Sequence, residues 1–126
     1  MAYSPYGRTL WQHQGTLQGA GTASSGPIDT HDATDLWLEA YMPAAPGGTA
    51  PTLTVQLDVF DAFGNLFPAV LALTPLTGST LKAQASIGVH IPGAGSLVIP
   101  AQCQVTWTLT GTNPVFPNLG LSLSGR

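Results

Sequence analysis

Charge is what this sequence has least of. Only 7% of its 126 residues are Asp, Glu, Lys or Arg, against about a quarter in an ordinary soluble domain. The strong cations are Arg8, Lys82 and Arg126, and the formal net charge is -3. Holding a phosphate backbone takes many Lys and Arg side chains, so nucleic-acid binding is not expected. A single cysteine, Cys103, cannot close an intrachain disulfide. Its phase with Val105 and Trp107 marks it as a small core residue rather than a reactive thiol. No stretch approaches the ~20 apolar residues of a membrane helix. The opening Met-Ala-Tyr-Ser-Pro lacks the basic start and apolar run of a secretory signal. Neither membrane insertion nor export is expected. A 3.6-residue period is missing as well, so helix content should be small.

What fills the chain instead is alternation. Val105, Trp107 and Leu109 alternate with Thr106, Thr108 and Thr110, and Leu119, Leu121 and Leu123 alternate with Gly120, Ser122 and Ser124. This period of two belongs to strands with one buried and one wet face. Gly111-Thr-Asn-Pro lies between them and predicts a closing hairpin that lays the leucines on the same core as Trp107. Leu53, Val55 and Leu57 repeat the pattern, as do Leu36, Leu38, Ala40 and Met42. Residues 81–89 place Leu81, Ala83, Ala85, Ile87 and Val89 inward, and residues 97–99 read as a short strand. Residues 8–17 form an irregular first strand, with His13 and His90 read as outward polar residues.

Fifteen glycines and eleven prolines punctuate these runs. Residues 18–27 read as a loop and residues 61–65 as a hairpin turn, with Gly64 and Asn65 suited to positive φ. Pro68 assigns residues 66–73 to an edge or kinked strand. A faint internal echo joins Gly48-Thr-Ala-Pro to Gly111-Thr-Asn-Pro, explained by shared turn chemistry. Seven or eight strands at this spacing predict one all-β domain over residues 1–126, with residues 1–7 as an N-terminal arm. The expected architecture is an antiparallel two-sheet β-sandwich, jelly-roll or immunoglobulin-like.

Chemistry-bearing clusters are few. Asp29, His31, Asp32 and Asp35 have the residue types of a divalent-metal loop. Asp and Thr equally favour turns, where they bond nearby backbone, so a turn without metal or cofactor is expected. Asp58 and Asp61 near Gly64 lack the rest of a calcium-loop pattern. No Gly-x-Ser-x-Gly elbow or catalytic cysteine context exists, and carboxylates paired for glycoside hydrolysis are the remaining enzymatic alternative. No catalytic residue is assigned. Trp37 and Tyr41 fall on the wet face of their strand, and Phe60 on that of the next. They form a candidate interface, since exposed aromatics anchor contacts, the alternative being that a loop such as residues 18–27 folds over them.

Three segments carry a family resemblance: residues 32–40 (Asp-Ala-Thr-Asp-Leu-x-Leu-x-Ala), 47–57 (Gly-Gly-Thr-x-Pro-Thr-Leu-x-Val-x-Leu) and 105–126 (Val-Thr-Trp-Thr-Leu-Thr-Gly-Thr-x-Pro-x-Phe to Leu-Ser-Leu-Ser-Gly-Arg). Together they resemble small β-sandwich virion proteins of tailed bacteriophages. The resemblance implies a non-enzymatic structural protein, foremost a head decoration (cement) protein that binds and stabilises the capsid exterior. The major capsid protein or other virion proteins would be its partners, with self-association beside them. It would be made in the host cytoplasm and end on the capsid surface. A minor tail or baseplate protein is the alternative within that class. A carbohydrate-binding module, with Trp37, Tyr41 and Phe60 as its platform, is the alternative outside it.

Overall fold

Alternating apolar and hydroxyl-bearing residues favour extended backbone almost throughout. The computed structural model describes residues 7–126; most of the expected N-terminal arm lies outside them. Eight strands follow in order: β1 (Arg8–Gln18), β2 (Gly21–Ser24), β3 (Ile28–Asp29), β4 (Asp35–Tyr41), β5 (Gly47–Phe60), β6 (Leu66–Ala72), β7 (Lys82–Gly88) and β8 (Gln102–Gly125). One 3₁₀ turn, Gly93–Gly95, is the only helical element among the described residues. The loop expected at residues 18–27 contains β2. The strand expected at residues 97–99 does not form: the Leu97 N–H bonds the Gly88 carbonyl at 3.1 Å beside the isolated Gly88–Ser96 bridge, and no ladder continues from it.

All pairings between the strands are antiparallel, and β8 organises them. Its first half runs between β5 and the pair β2 and β3, so that Trp107 lies opposite both Val55 and Ala23. Its second half runs between β4 and β1, with Leu123 opposite both Leu38 and Trp11. Outside these, β6 pairs with β5 and β7 with β4. The ladder is thus one eight-stranded sheet, and β6 approaches β7 to leave it nearly closed.

The closing hairpin predicted at Gly111-Thr-Asn-Pro is replaced by a bend within the 24-residue β8. Gly111 (φ 113°), Asn113 (φ 48°) and Asn118 (φ 48°) supply left-handed backbone there, which curves the strand without reversing it. Because each half already has partners on both edges, reversal would leave those partners unpaired. The two echoed Gly-Thr segments meet at this bend, with Thr49 opposite Thr112. A Cβ at Gly48 would stand 2.5 Å from the Asn113 carbonyl oxygen, and one at Gly111 2.8 Å from that of Ala50. The backbones approach so closely that only glycine fits either position.

The bent sheet wraps one apolar core. Cys103, Val105, Trp107, Leu109, Leu119, Leu121 and Leu123 are buried, as are Leu36, Leu38, Ala40 and Met42 opposite them, and Leu53, Val55 and Leu57. Trp107 stacks with Trp11 at 5.7 Å between centroids, and His13 lies 6.1 Å from Trp107. His13 therefore faces inward, contrary to the sequence expectation. The register shift between Thr9 and Trp11 resets the phase of β1, placing His13 opposite buried Leu121. Ile87 is buried as expected, but Ala85 is only half-buried on the outermost strand β7. Val89 is exposed, because β7 ends at Gly88.

Asp58, read from sequence as a wet residue, is 1% exposed. Leu57 faces Leu71 and Val59 faces Phe67, so one residue of β5 opposes three of β6. Pro68 and Ala69 (φ 54°) form that bulge. The Asp58 carboxylate fills the gap, accepting from the Ala69 N–H at 2.8 Å, Thr106 Oγ1 at 2.6 Å, Gln56 Nε2 at 2.7 Å and Gln104 Nε2 at 3.1 Å. A buried charge is tolerable when every lone pair is used in this way.

Candidate functional site

The three aromatics singled out from sequence do not form one patch. Trp37 and Tyr41 lie on the outer face of β4, opposite Ser124 and Gly120 of β8. Phe60 lies opposite Gln102, at the other end of β8. The physical reason is that β4 and β5 follow one another along β8 rather than lying side by side, an arrangement that depends on strand order.

On the outer face, β4 and its neighbours present aromatic, amide and hydroxyl groups together. Trp37, Glu39, Tyr41, Gln12, Gln14 and Ser122 line an open cleft of about 360 Å³. Tyr41 and Glu39 also belong to a second cleft of about 640 Å³, continued by Lys82, Gln84, Thr74 and Thr80. Within it Tyr41 pairs across with Lys82, and Glu39 with Gln84. Trp37 is half-buried, whereas Tyr41 is 51% exposed.

At the other end, cross-strand pairing sets Asp29, Gln102, Phe60 and Leu66 in one row across β3, β8, β5 and β6. Phe60 is half-buried there. With His31, Asp61 and Ala62 it lines an open cleft of about 630 Å³. The hairpin beyond it carries exposed side chains that the sequence reading missed: Phe63 at 89%, Phe67 at 52% and Leu66 at 43%. The legible signal was apolar residues on both sides of Gly64-Asn65, where a turn ordinarily carries polar ones.

The acidic segment satisfies itself. Asp29 Oδ1 accepts the His31 backbone N–H at 3.1 Å and meets Nδ1 of the same ring at 2.6 Å. Nε2 of that ring lies 3.0 Å from Asp32, whose other oxygen is 3.7 Å from Arg8. The hydrogen bond to His31 lowers the Asp29 pKa, and the same contact raises that of His31. Asp35 points elsewhere. It is buried and accepts from the His90 backbone N–H at 2.9 Å, meets the ring Nδ1 at 2.7 Å, and receives Nε of Arg126 at 3.3 Å. Burial pushes its pKa up, but the bonds from His90 and Arg126 outweigh that and hold it below the ordinary value. Among the described residues, no three His, Cys, Asp or Glu side chains form a metal-holding group.

Elsewhere, burial raises the Cys103 thiol pKa, opposed by Thr30 at 3.3 Å. Among the described residues no serine, threonine or cysteine side chain bonds a histidine ring. The outer surface carries two clefts sharing Tyr41, and an apolar hairpin beside the Asp29–His31 turn. No family model, curated protein or solved structure matches the chain.

Proposed function

We propose that this chain is a non-enzymatic virion structural protein, foremost a head decoration protein that docks on the capsid exterior and stabilises it by adding buried area between shell subunits. The observation that carries the reading is the surface. It is nearly uncharged yet displays large apolar side chains, Tyr41, Phe63 and Phe67 among them. Such groups gain from cover by another protein, and a weakly charged surface suits a protein held in an assembly. The virion assignment draws on the resemblance carried by residues 32–40, 47–57 and 105–126. On this reading the two halves of the bent sheet act as the two layers of a sandwich of jelly-roll or immunoglobulin-like kind, held face to face by Trp11 and Trp107. Its partners are the major capsid protein or other virion proteins. Composition analysis and imaging of purified particles test it. Density on the tail instead of the head selects the tail or baseplate alternative.

A second reading is favoured by the outer cleft, where Trp37 and Tyr41 stand beside Gln12, Gln14 and Glu39. Aromatic faces flanked by amides and carboxylates suit sugar rings, so a carbohydrate-binding module is the competing function. A glycan array at high protein concentration separates the two.

A further inference from the structure

The hairpin joining β5 to β6 is an apolar finger. Leu66 lies opposite Phe60 and Phe67 opposite Val59, and directly opposed residues share a face while successive ones alternate. Apolar groups therefore occupy both faces, and Phe63 stands at the tip. A finger coated on both faces is covered by a cleft that encloses it, not by a flat surface. It is also stiff. Asp61 Oδ1 accepts the N–H groups of Phe63 at 2.9 Å and Asn65 at 2.8 Å, its Oδ2 accepts Asn65 Nδ2 at 3.0 Å, and Asp58 clamps the bulge behind it. A preorganised element loses little freedom on docking.

The molecule carries a cleft at the opposite end of β6, in which Tyr41 and Ala83 supply apolar surface among polar side chains. The finger precedes Leu66, whereas Thr74, just past Ala72, lines the 640 Å³ cleft with Tyr41, Ala40, Ala83, Lys82 and Gln84. β6, bulged at Ala69, lies between the two and spans up to roughly 20 Å, which keeps a molecule's own finger from its own cleft. Asp61 and Asp29 flank the finger, Asp29 paired with His31 and no Lys or Arg in that cleft lining, and among the described residues Lys82 has no carboxylate partner, so the Asp61 side of one copy complements Lys82 of the next. Glu39 lines the receiving cleft as well, one row from Lys82, so the acidic flank seats toward the Lys82 and Thr80 end. Direct pairing of β6 edges is obstructed, because Pro68 lacks a donor and Ala69 is bulged. A membrane surface is neutral or anionic, which the acidic flank does not favour.

We infer that the chain associates with itself head to tail, the Phe63 finger of one copy entering the Tyr41–Lys82 cleft of the next. An interface between unlike surfaces closes into a ring or runs on as a filament. The patch is small for a permanent dimer, so association is weak and concentration-dependent. This does not depend on the virion reading, and its test uses the purified chain alone, so either can fail without the other.

Sedimentation velocity from about 10 µM to about 1 mM should show the wild type growing into oligomers. Phe63→Asp removes the finger and leaves the cleft. A double variant, Lys82→Glu with Gln84→Trp, blocks the cleft and leaves the finger. Each should remain monomeric alone, with native circular dichroism, and an equimolar mixture should form a dimer that grows no further. A wild type monomeric throughout, oligomers that survive Phe63→Asp, or a mixture that stays monomeric would overturn the inference. Phe63-dependent flotation with phosphatidylcholine vesicles in place of self-association would overturn it in favour of a lipid surface.

Discussion

Trp107 stacks on Trp11 across the bend of β8, with ring centroids 5.7 Å apart and planes 24° from parallel. One indole belongs to the first half of β8 and the other to β1, the neighbour of the second half. The pair therefore ties the two halves of the sheet through side chains, where the backbone ties them through one strand. Trp107→Ala should cost about 3–5 kcal/mol, as truncation of a buried aromatic does. A double-mutant cycle with Trp11→Ala should return a coupling of about 0.5–1.5 kcal/mol. An unchanged thermal midpoint in Trp107→Ala would contradict the packing.

Gly111 sits where β5 and β8 touch backbone to backbone. Gly111→Ala puts a methyl 2.8 Å from the Ala50 oxygen at a φ of 113°, so a loss of about 1–3 kcal/mol is expected. Urea titration measures it. Gly64→Ala is the control, because its Cβ would meet nothing within 4 Å although its φ is 82°. Equal losses at the two sites would show that backbone conformation, not close approach, sets the cost.

Asp58 holds the β6 bulge. Asp58→Ala leaves the Ala69 N–H and the Thr106, Gln56 and Gln104 donors without their acceptor, and a loss of about 2–3 kcal/mol is expected. Burial raises its pKa, but the bonds from Thr106, Ala69, Gln104 and Gln56 bring it below the ordinary 3.8. Asp35 is lowered likewise. A carboxylate depressed in the folded state contributes stability above its unfolded pKa and loses it as pH falls through the folded one. Stability should hold from neutral pH down to about 4 and fall below it. Asp58→Asn should flatten that acid limb, and an unaltered limb would remove Asp58 from the account.

Asp29, His31 and Asp32 partner one another and Arg8, and Asp35 is committed to His90 and Arg126. A chelator should therefore leave the melting midpoint unchanged. A fall of several degrees would make Asp29, His31 and Asp32 candidate ligands.

The burial phase of β4, β5 and β8 was legible because alternation in Leu36–Met42, Leu53–Leu57 and Val105–Leu109 is a local signal. The path of β8 was not. Gly111-Thr-Asn-Pro has the chemistry of a reversal and of a bend alike, and the choice falls to β1 and β4, which hold the second half of β8 from both edges. Strand order likewise decides that Trp37 and Phe60 stand apart. His13 was misplaced by one bulge, and Asp58 by a clamp built from β6 and β8. Phe63 and Phe67 could have been found from their apolar character around a turn.

Docking on a virion shell is the proposed function. Mass spectrometry of purified particles followed by imaging tests it most directly. The chain is expected in the particles at stoichiometric amounts, with density of its size on the outer head surface. Particles that lack the chain would contradict it.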